Sequence, residues 1–224
     1  MSGIGLWLVL AGVPLLLGLW AQQRVKSTFN KYSQVPTSNG MSGEDAAAAV
    51  LRASGLQGVG IEHISGQLSD HYDPRSRVLR LSDDVGRART VAALGVAAHE
   101  AGHAIQHAQG YKLMQIRQTL VPAAQFGQSL WFLPVVIGLV IGATGLVQLG
   151  VLLFAAVVLF QLVTLPVEFD ASKRALVALS DGRMLTADEL TGARSVLNAA
   201  ALTYVAGFVA SLGQLIYFFL ASRE

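Results

Sequence analysis

The chain has 224 residues, of which 53% are hydrophobic and only 13% charged. Ordinary soluble domains carry about 25% charged residues. This composition, with its positive mean hydropathy, excludes a disordered chain and argues against a plain soluble enzyme. The absence of cysteine excludes disulfides, thiolate metal sites and thiol nucleophiles. A net charge of +2 is too small to argue for a nucleic-acid partner, and the basic residues are better read as orienting the chain in a membrane.

In chain order, Ile4 to Trp20 is an apolar run near the lower length limit for a span. Its basic residues, Arg24, Lys26 and Lys31, follow it rather than precede it. A removable leader has the opposite arrangement, so residues 1–21 read as a retained N-terminal transmembrane anchor with its start outside. Residues 22–129 form the polar part and hold eleven of the sixteen Lys and Arg. Within it, Ser42 to Asp45 fits a capping box opening a helix over Gly43 to Ser54, with Gly55 as the stop. Val59 to Ile64 and Arg77 to Leu81 read as short strands, and Asp70 to Pro74 between them as a turn. Ser82, Asp83 and Asp84 can cap a long helix over 85–108, ended by Gly110.

Residues 130–167 are almost uncharged and long enough for two spans. They predict a transmembrane hairpin reversing at Gly145 to Gly150. Residues 168–198 are polar again, and Thr186 to Glu189 fits a second capping box. It opens a helix that continues into a last apolar run, the C-terminal transmembrane helix of residues 199–221. With the N-terminus outside, fifteen of the sixteen Lys and Arg fall on the cytosolic side, as the positive-inside rule requires.

His99-Glu-Ala-Gly-His103 matches the H-E-x-x-H pattern. Residues four apart lie on one helix face, so two imidazoles can reach one Zn²⁺, and Glu100 beside them can act as general base on a water that the metal acidifies. The surrounding Ala97, Ala98, Ala101, Gly102 and Ala104 allow close helix packing. A His-Glu-His trio in such an apolar stretch is costly unless used. One protein ligand is then missing. His107 lies about 12 Å from His99 along a continuous helix, too far to share the ion, which leaves it a supporting or helix-end role. Glu168, flanked by Val167 and Phe169 at a span end, is the better third ligand, although a plain interfacial carboxylate would look the same. Asp170 can orient a ligand histidine through its free ring nitrogen.

These residues resemble a known family. The stretches Leu68 to Pro74, Val96 to Gln106, Pro166 to Ser172 and Leu197 to Tyr204 look like the YugP-type membrane-embedded neutral zinc metallopeptidases of bacteria, a resemblance covering about Gly40 to Ala206. The chain is also similar to the HtpX-like and CAAX-prenyl membrane proteases, but those carry Asp four residues after the ligand Glu, where this chain has Ser172. The resemblance implies a gluzincin-like site: one zinc per chain on His99, His103 and Glu168, with Glu100 as base. The expected fold is a mainly α membrane protein, with four transmembrane helices and a cytosolic zincin-like α+β portion containing a small β-hairpin or sheet.

An oxyanion needs donors, for which His71, Tyr72, Tyr204 and Arg174 are candidates. Arg174 is equally suited to anchoring and Asp70 to Pro74 to a simple turn. The reading that follows is an integral membrane zinc endopeptidase of the inner (plasma) membrane, its site facing the cytosol. Its partners are a membrane-associated peptide or protein substrate, the lipid bilayer and an accessory regulator, with no nucleic acid. The alternative is a membrane scaffold with a structural zinc. A transporter is weaker, because spans one, two and four lack ionisable residues.

Overall fold

A computed structural model of the chain describes Gly5, residues 8–66 and residues 69–222. The start of the expected anchor (Met1 to Ile4, Leu6 and Trp7) and Leu68 of the quoted stretch lie outside the described residues. The chain is mainly helical, with one small sheet. A π-helical turn at Leu8–Gly12 leads into α1 (Val13–Tyr32), followed by α2 (Gly43–Ala53), β1 (Gly60–Ile64), β2 (His71–Asp73), β3 (Val78–Ser82), α3 (Asp83–Gly86) and α4 (Val91–Ala108). Then come α5 (Lys112–Leu130), α6 (Phe132–Ile141), α7 (Thr144–Asp181) and α8 (Ala187–Ala221). Among the described residues, four stretches are long and apolar enough to cross a membrane: Leu8–Tyr32, Lys112–Ile141, Thr144–Asp181 and Ala187–Ala221. The chain divides into two compact units, and α1, α5, α7 and α8 contribute to both.

One unit comprises the described residues of Met1–Gln22, Gln115–Pro166 and Leu202–Glu224. The expected hairpin is there, but its reversal is at Gly142 and Ala143, before the Gly145 to Gly150 stretch. Gly142 caps α6 in the left-handed region at φ 69°, where a Cβ is disfavoured. The hairpin also begins earlier than expected: residues 112–129, assigned to the polar part, form α5, whose glutamines mask its amphipathic pattern. The arms pack closely because Gly150 faces the Trp131 carbonyl, which a Cβ would meet at 2.6 Å. Trp131 stacks on Phe154 at 4.7 Å and Phe218 at 5.4 Å.

The other unit comprises Gln23–Met114 and Val167–Ala201. The Ser42 capping box forms in full, its hydroxyl accepting from the Asp45 N–H while Asp45 accepts from the Ser42 N–H. The Thr186 box forms as well, at 2.8 and 3.4 Å. The sheet order is β1-β3-β2. β1 runs parallel to β3, and β2 pairs antiparallel with it, so the hairpin is β2–β3. Residues 71–73, expected within a turn, are thus an edge strand. The turn itself is residues 74–77, where Arg77 takes φ 55°. Asp70 fixes this register, accepting from the Ser82 N–H at 2.7 Å and from its hydroxyl. Burial pushes the Asp70 carboxyl above its ordinary pKa, against those hydrogen bonds.

The helix expected over 85–108 is broken. Ser82 opens only the single turn α3, and α4 restarts at Val91 with Thr90 as its N-cap, accepting from Ala93 N–H. The break is held by the Pro36–Thr90 bridge and by Thr37 donating to the Arg89 carbonyl. α4 is the centre of the unit. Val91, Leu94, Ala97, Ala98, Ala101 and Ala104 are buried with Leu79 and Leu81 of β3, Val50 of α2, and Ala175 and Leu179 of α7.

A candidate metal centre on α4 and α7

The small residues around the motif let α4 approach a second helix. A Cβ on Gly102 would lie 2.6 Å from the Ala171 carbonyl oxygen, so α4 and α7 meet here with no side chain between them. That contact sets Glu168, one turn before Ala171, against His99 and His103. One ligand atom from each of the three lies within 4.8 Å of the others. Glu168 Oε2 is 3.2 Å from His99 Nε2 and 3.4 Å from His103 Nε2. The imidazoles meet edge to face, their centroids 4.7 Å apart. Glu168 is 2% exposed, and His103 and Glu100 are also buried.

The far side of each ring is held as well. His103 Nδ1 lies 3.0 Å from Gln106 Oε1. The Gln106 amide can sit only this way round, because its Nε2 donates to two acceptors, the Val167 carbonyl and Asp170 Oδ2, each at 2.8 Å. Nδ1 therefore carries a proton toward Gln106, which leaves Nε2, on the side of Glu168, as the nitrogen that can serve as a metal ligand. His99 Nδ1 lies 3.1 Å from Ser172 Oγ, which orients the second ring. Behind Gln106, Asp170 also accepts from Arg174 Nε, and Arg174 reaches Gln109 and lies over the Tyr111 ring.

This corrects the expectation for Asp170. It does not touch a ligand histidine but acts through Gln106, a residue that sequence reasoning did not single out. Ser172, noted only as a departure from related patterns, provides the contact on His99. Arg174 is a buttress of this network rather than a free oxyanion donor.

Glu100 Oε2 accepts the Tyr72 N–H at 3.0 Å, so the edge strand β2 fixes the carboxylate. The Tyr72 hydroxyl is 2.9 Å from His107 Nδ1. His107 thus ties the end of α4 to β2 and stays out of the cluster. Burial pushes the Tyr72 phenol above its ordinary pKa, keeping it protonated near neutral pH. His71 points away from this wall, exposed, with its ring on the Ser69 carbonyl. Tyr204 belongs to the other unit, where it is 40% exposed. Burial disfavours charge on His103, but the Glu168 and Glu100 carboxylates outweigh it and raise its pKa. The cluster therefore attracts positive charge. Two imidazoles and a carboxylate are a donor set suited to zinc, and the residues present fit such an ion.

Residues 7–223, nearly the whole chain, match the family model described as "putative neutral zinc metallopeptidase". It is also 42% identical over 222 residues to the "putative membrane protease YugP" of Bacillus subtilis strain 168, covering 98% of this chain and 99% of that one. No solved structure matches it. The chain belongs to this neutral zinc metallopeptidase family.

Proposed function

Starting from that membership, we propose that the chain is an integral membrane zinc endopeptidase. His99, His103 and Glu168 hold one zinc ion per chain, and Glu100 is the general base. The observation that carries this reading is the convergence of three ligand atoms whose two imidazoles are each held from behind, by Gln106 and by Ser172. The ion supplies Lewis acidity toward a water molecule and the substrate carbonyl. Glu100, anchored by the Tyr72 N–H, takes the proton as water adds to the peptide carbonyl and passes it to the leaving amine.

The site faces the cytosol of the inner (plasma) membrane in this proposal. The positive-inside reading of the sequence supports that orientation, since fifteen of the sixteen basic residues fall in 22–129 and 168–198. The substrate class is a membrane-associated peptide or protein, and an accessory protein restrains the open site.

The test is metal content. Purified protein is expected to hold about one zinc, as three protein ligands plus a water position imply, and His99→Ala or His103→Ala to lose it. Stoichiometric zinc retained in either variant overturns the ligand assignment.

A further inference from the structure

The unit that carries the candidate metal centre has another polar feature, which holds no part of the ion. An open cavity of about 580 Å³ lies between α7 and α8, and its lining residues all fall within Val167–Ala201. Two of them are cations, Lys173 on α7 and Arg194 on α8, with the Asn198 amide one turn beyond Arg194. Arg80, Arg87 and Arg174 each hold a carboxylate. Lys173 and Arg194 hold none among the described residues.

The two cations stand at matching depth in the cavity. Only residues 182–186 join α7 to α8, which makes the helices antiparallel neighbours. Lys173 lies eight residues before the end of α7 at Asp181, and Arg194 seven after the start of α8 at Ala187. Both are therefore about 10–12 Å from the connection. Asp181, the carboxylate of the lining, lies at the connection itself and leaves them uncompensated.

The flanking residues narrow the choice of anion. Phe169 and Val177, one turn to either side of Lys173, also line the cavity and are each 50% exposed. A free phosphate ion covers no apolar surface, whereas the glycerol and acyl carbons of a lipid do. Both helices belong to stretches apolar enough to cross a membrane, and basic pockets between such helices hold anionic headgroups. A substrate carboxylate fits less well. Ser172, also in the lining, contacts His99 at Nδ1, 3.1 Å away, whereas Glu168 sits at Nε2. The cavity thus meets the metal centre behind a ligand rather than on its reacting side.

We propose that this cavity binds the phosphate headgroup of an anionic phospholipid. Lys173 and Arg194 take the phosphate oxygens, and Phe169 and Val177 the adjoining carbons. Binding here is independent of the peptidase reading.

The experiment is native mass spectrometry of the full chain, released from micelles doped with equal amounts of phosphatidylglycerol and phosphatidylcholine. Wild type is expected to retain phosphatidylglycerol in preference to phosphatidylcholine. The double variant Lys173→Met, Arg194→Met is expected to retain it roughly tenfold more weakly, as lost hydrogen bonds to a charged group give. Lys112→Met removes an exposed cation at the start of another apolar stretch, outside the cavity, and should behave as wild type. Excess inorganic phosphate should leave the lipid in place. Equal retention of the two lipids, an equal loss in Lys112→Met, or displacement by inorganic phosphate overturns the proposal. The two-lipid comparison uses the unsubstituted chain, so a folding defect in the double variant cannot rescue it.

Discussion

Gly102→Ala tests how the centre is assembled. The added Cβ would sit 2.6 Å from the Ala171 carbonyl oxygen, and 3.2 and 3.3 Å from the Ala171 C and Cα. All three are backbone atoms, so no side chain can rotate away. Relief to an acceptable contact requires α4 and α7 to part locally by roughly 0.4–0.8 Å, an overpacking strain of about 1–3 kcal/mol. Ligand distances tolerate only about 0.2 Å, and Glu168 is on the helix that moves while His99 and His103 are on the other. The variant is therefore expected to lose about 1–3 kcal/mol of stability and to bind zinc roughly 5- to 150-fold more weakly if the strain is relieved at the ligands. Zinc per chain by elemental analysis and thermal unfolding with and without chelator would measure both. Gly95→Ala is the matched control on the same helix, since its Cβ would meet Ala193 Cβ at 3.4 Å, an ordinary contact. Wild-type zinc affinity and melting in Gly102→Ala would refute the close-approach reasoning, as would an equal loss in Gly95→Ala.

Other perturbations separate the supporting groups. Gln106→Leu removes the acceptor from His103 Nδ1 and leaves the Val167 carbonyl and Asp170 without their donor; zinc affinity by competition with a fluorescent chelator should fall about 10- to 100-fold. Ser172→Ala should weaken zinc less, while Ser172→Asp, which restores a carboxylate at that position, should retain it; stronger loss in Ser172→Asp than in Ser172→Ala would remove Ser172 from the support of His99. Ser42→Ala removes the hydroxyl half of the capping box, leaving the residue-42 N–H on Asp45, and should cost about 0.5–2 kcal/mol in thermal or denaturant unfolding. The hydrogen bonds from Ser42, backbone and hydroxyl, hold the Asp45 carboxyl below its ordinary pKa. Their stabilisation is thus present above that ordinary value and lost as pH falls through the lower folded value. Ser42→Ala should therefore narrow the stability gap to wild type in strong acid, and a gap unchanged from pH 7 to pH 2 would contradict the assignment.

The chemistry was more legible in the sequence than the scaffold that positions it. His99, Glu100 and His103 declare themselves by a spacing that one helix face imposes, and Glu168 by a carboxylate set in an apolar stretch. Gln106 did not, because a glutamine three residues after a histidine has no signature until an acceptor pair on another helix fixes its amide. Asp170 was misplaced for the same reason: which polar group reaches a ring nitrogen depends on how α4 and α7 meet. The break between α3 and α4 escaped notice because Asp83 and Asp84 suit any helix start, while Thr90 acts as a cap only through its pairing with Pro36. Strand β2 was hidden in Asp70 to Pro74, whose turn residues describe only its end. The early start of α5 is obscured by Gln115, Gln118, Gln125 and Gln128, which read as polar loop; Gln125 and Gln128 line a cleft against α7.

In the proposed peptidase, Glu100 performs proton transfer at a zinc centre. The most direct test of this role is cleavage of a casein-like substrate by Glu100→Gln and wild type in the same membrane preparation, both assayed for zinc. Glu100→Gln is expected to keep its zinc and lose cleavage. Cleavage at the wild-type rate by the zinc-loaded variant would contradict it.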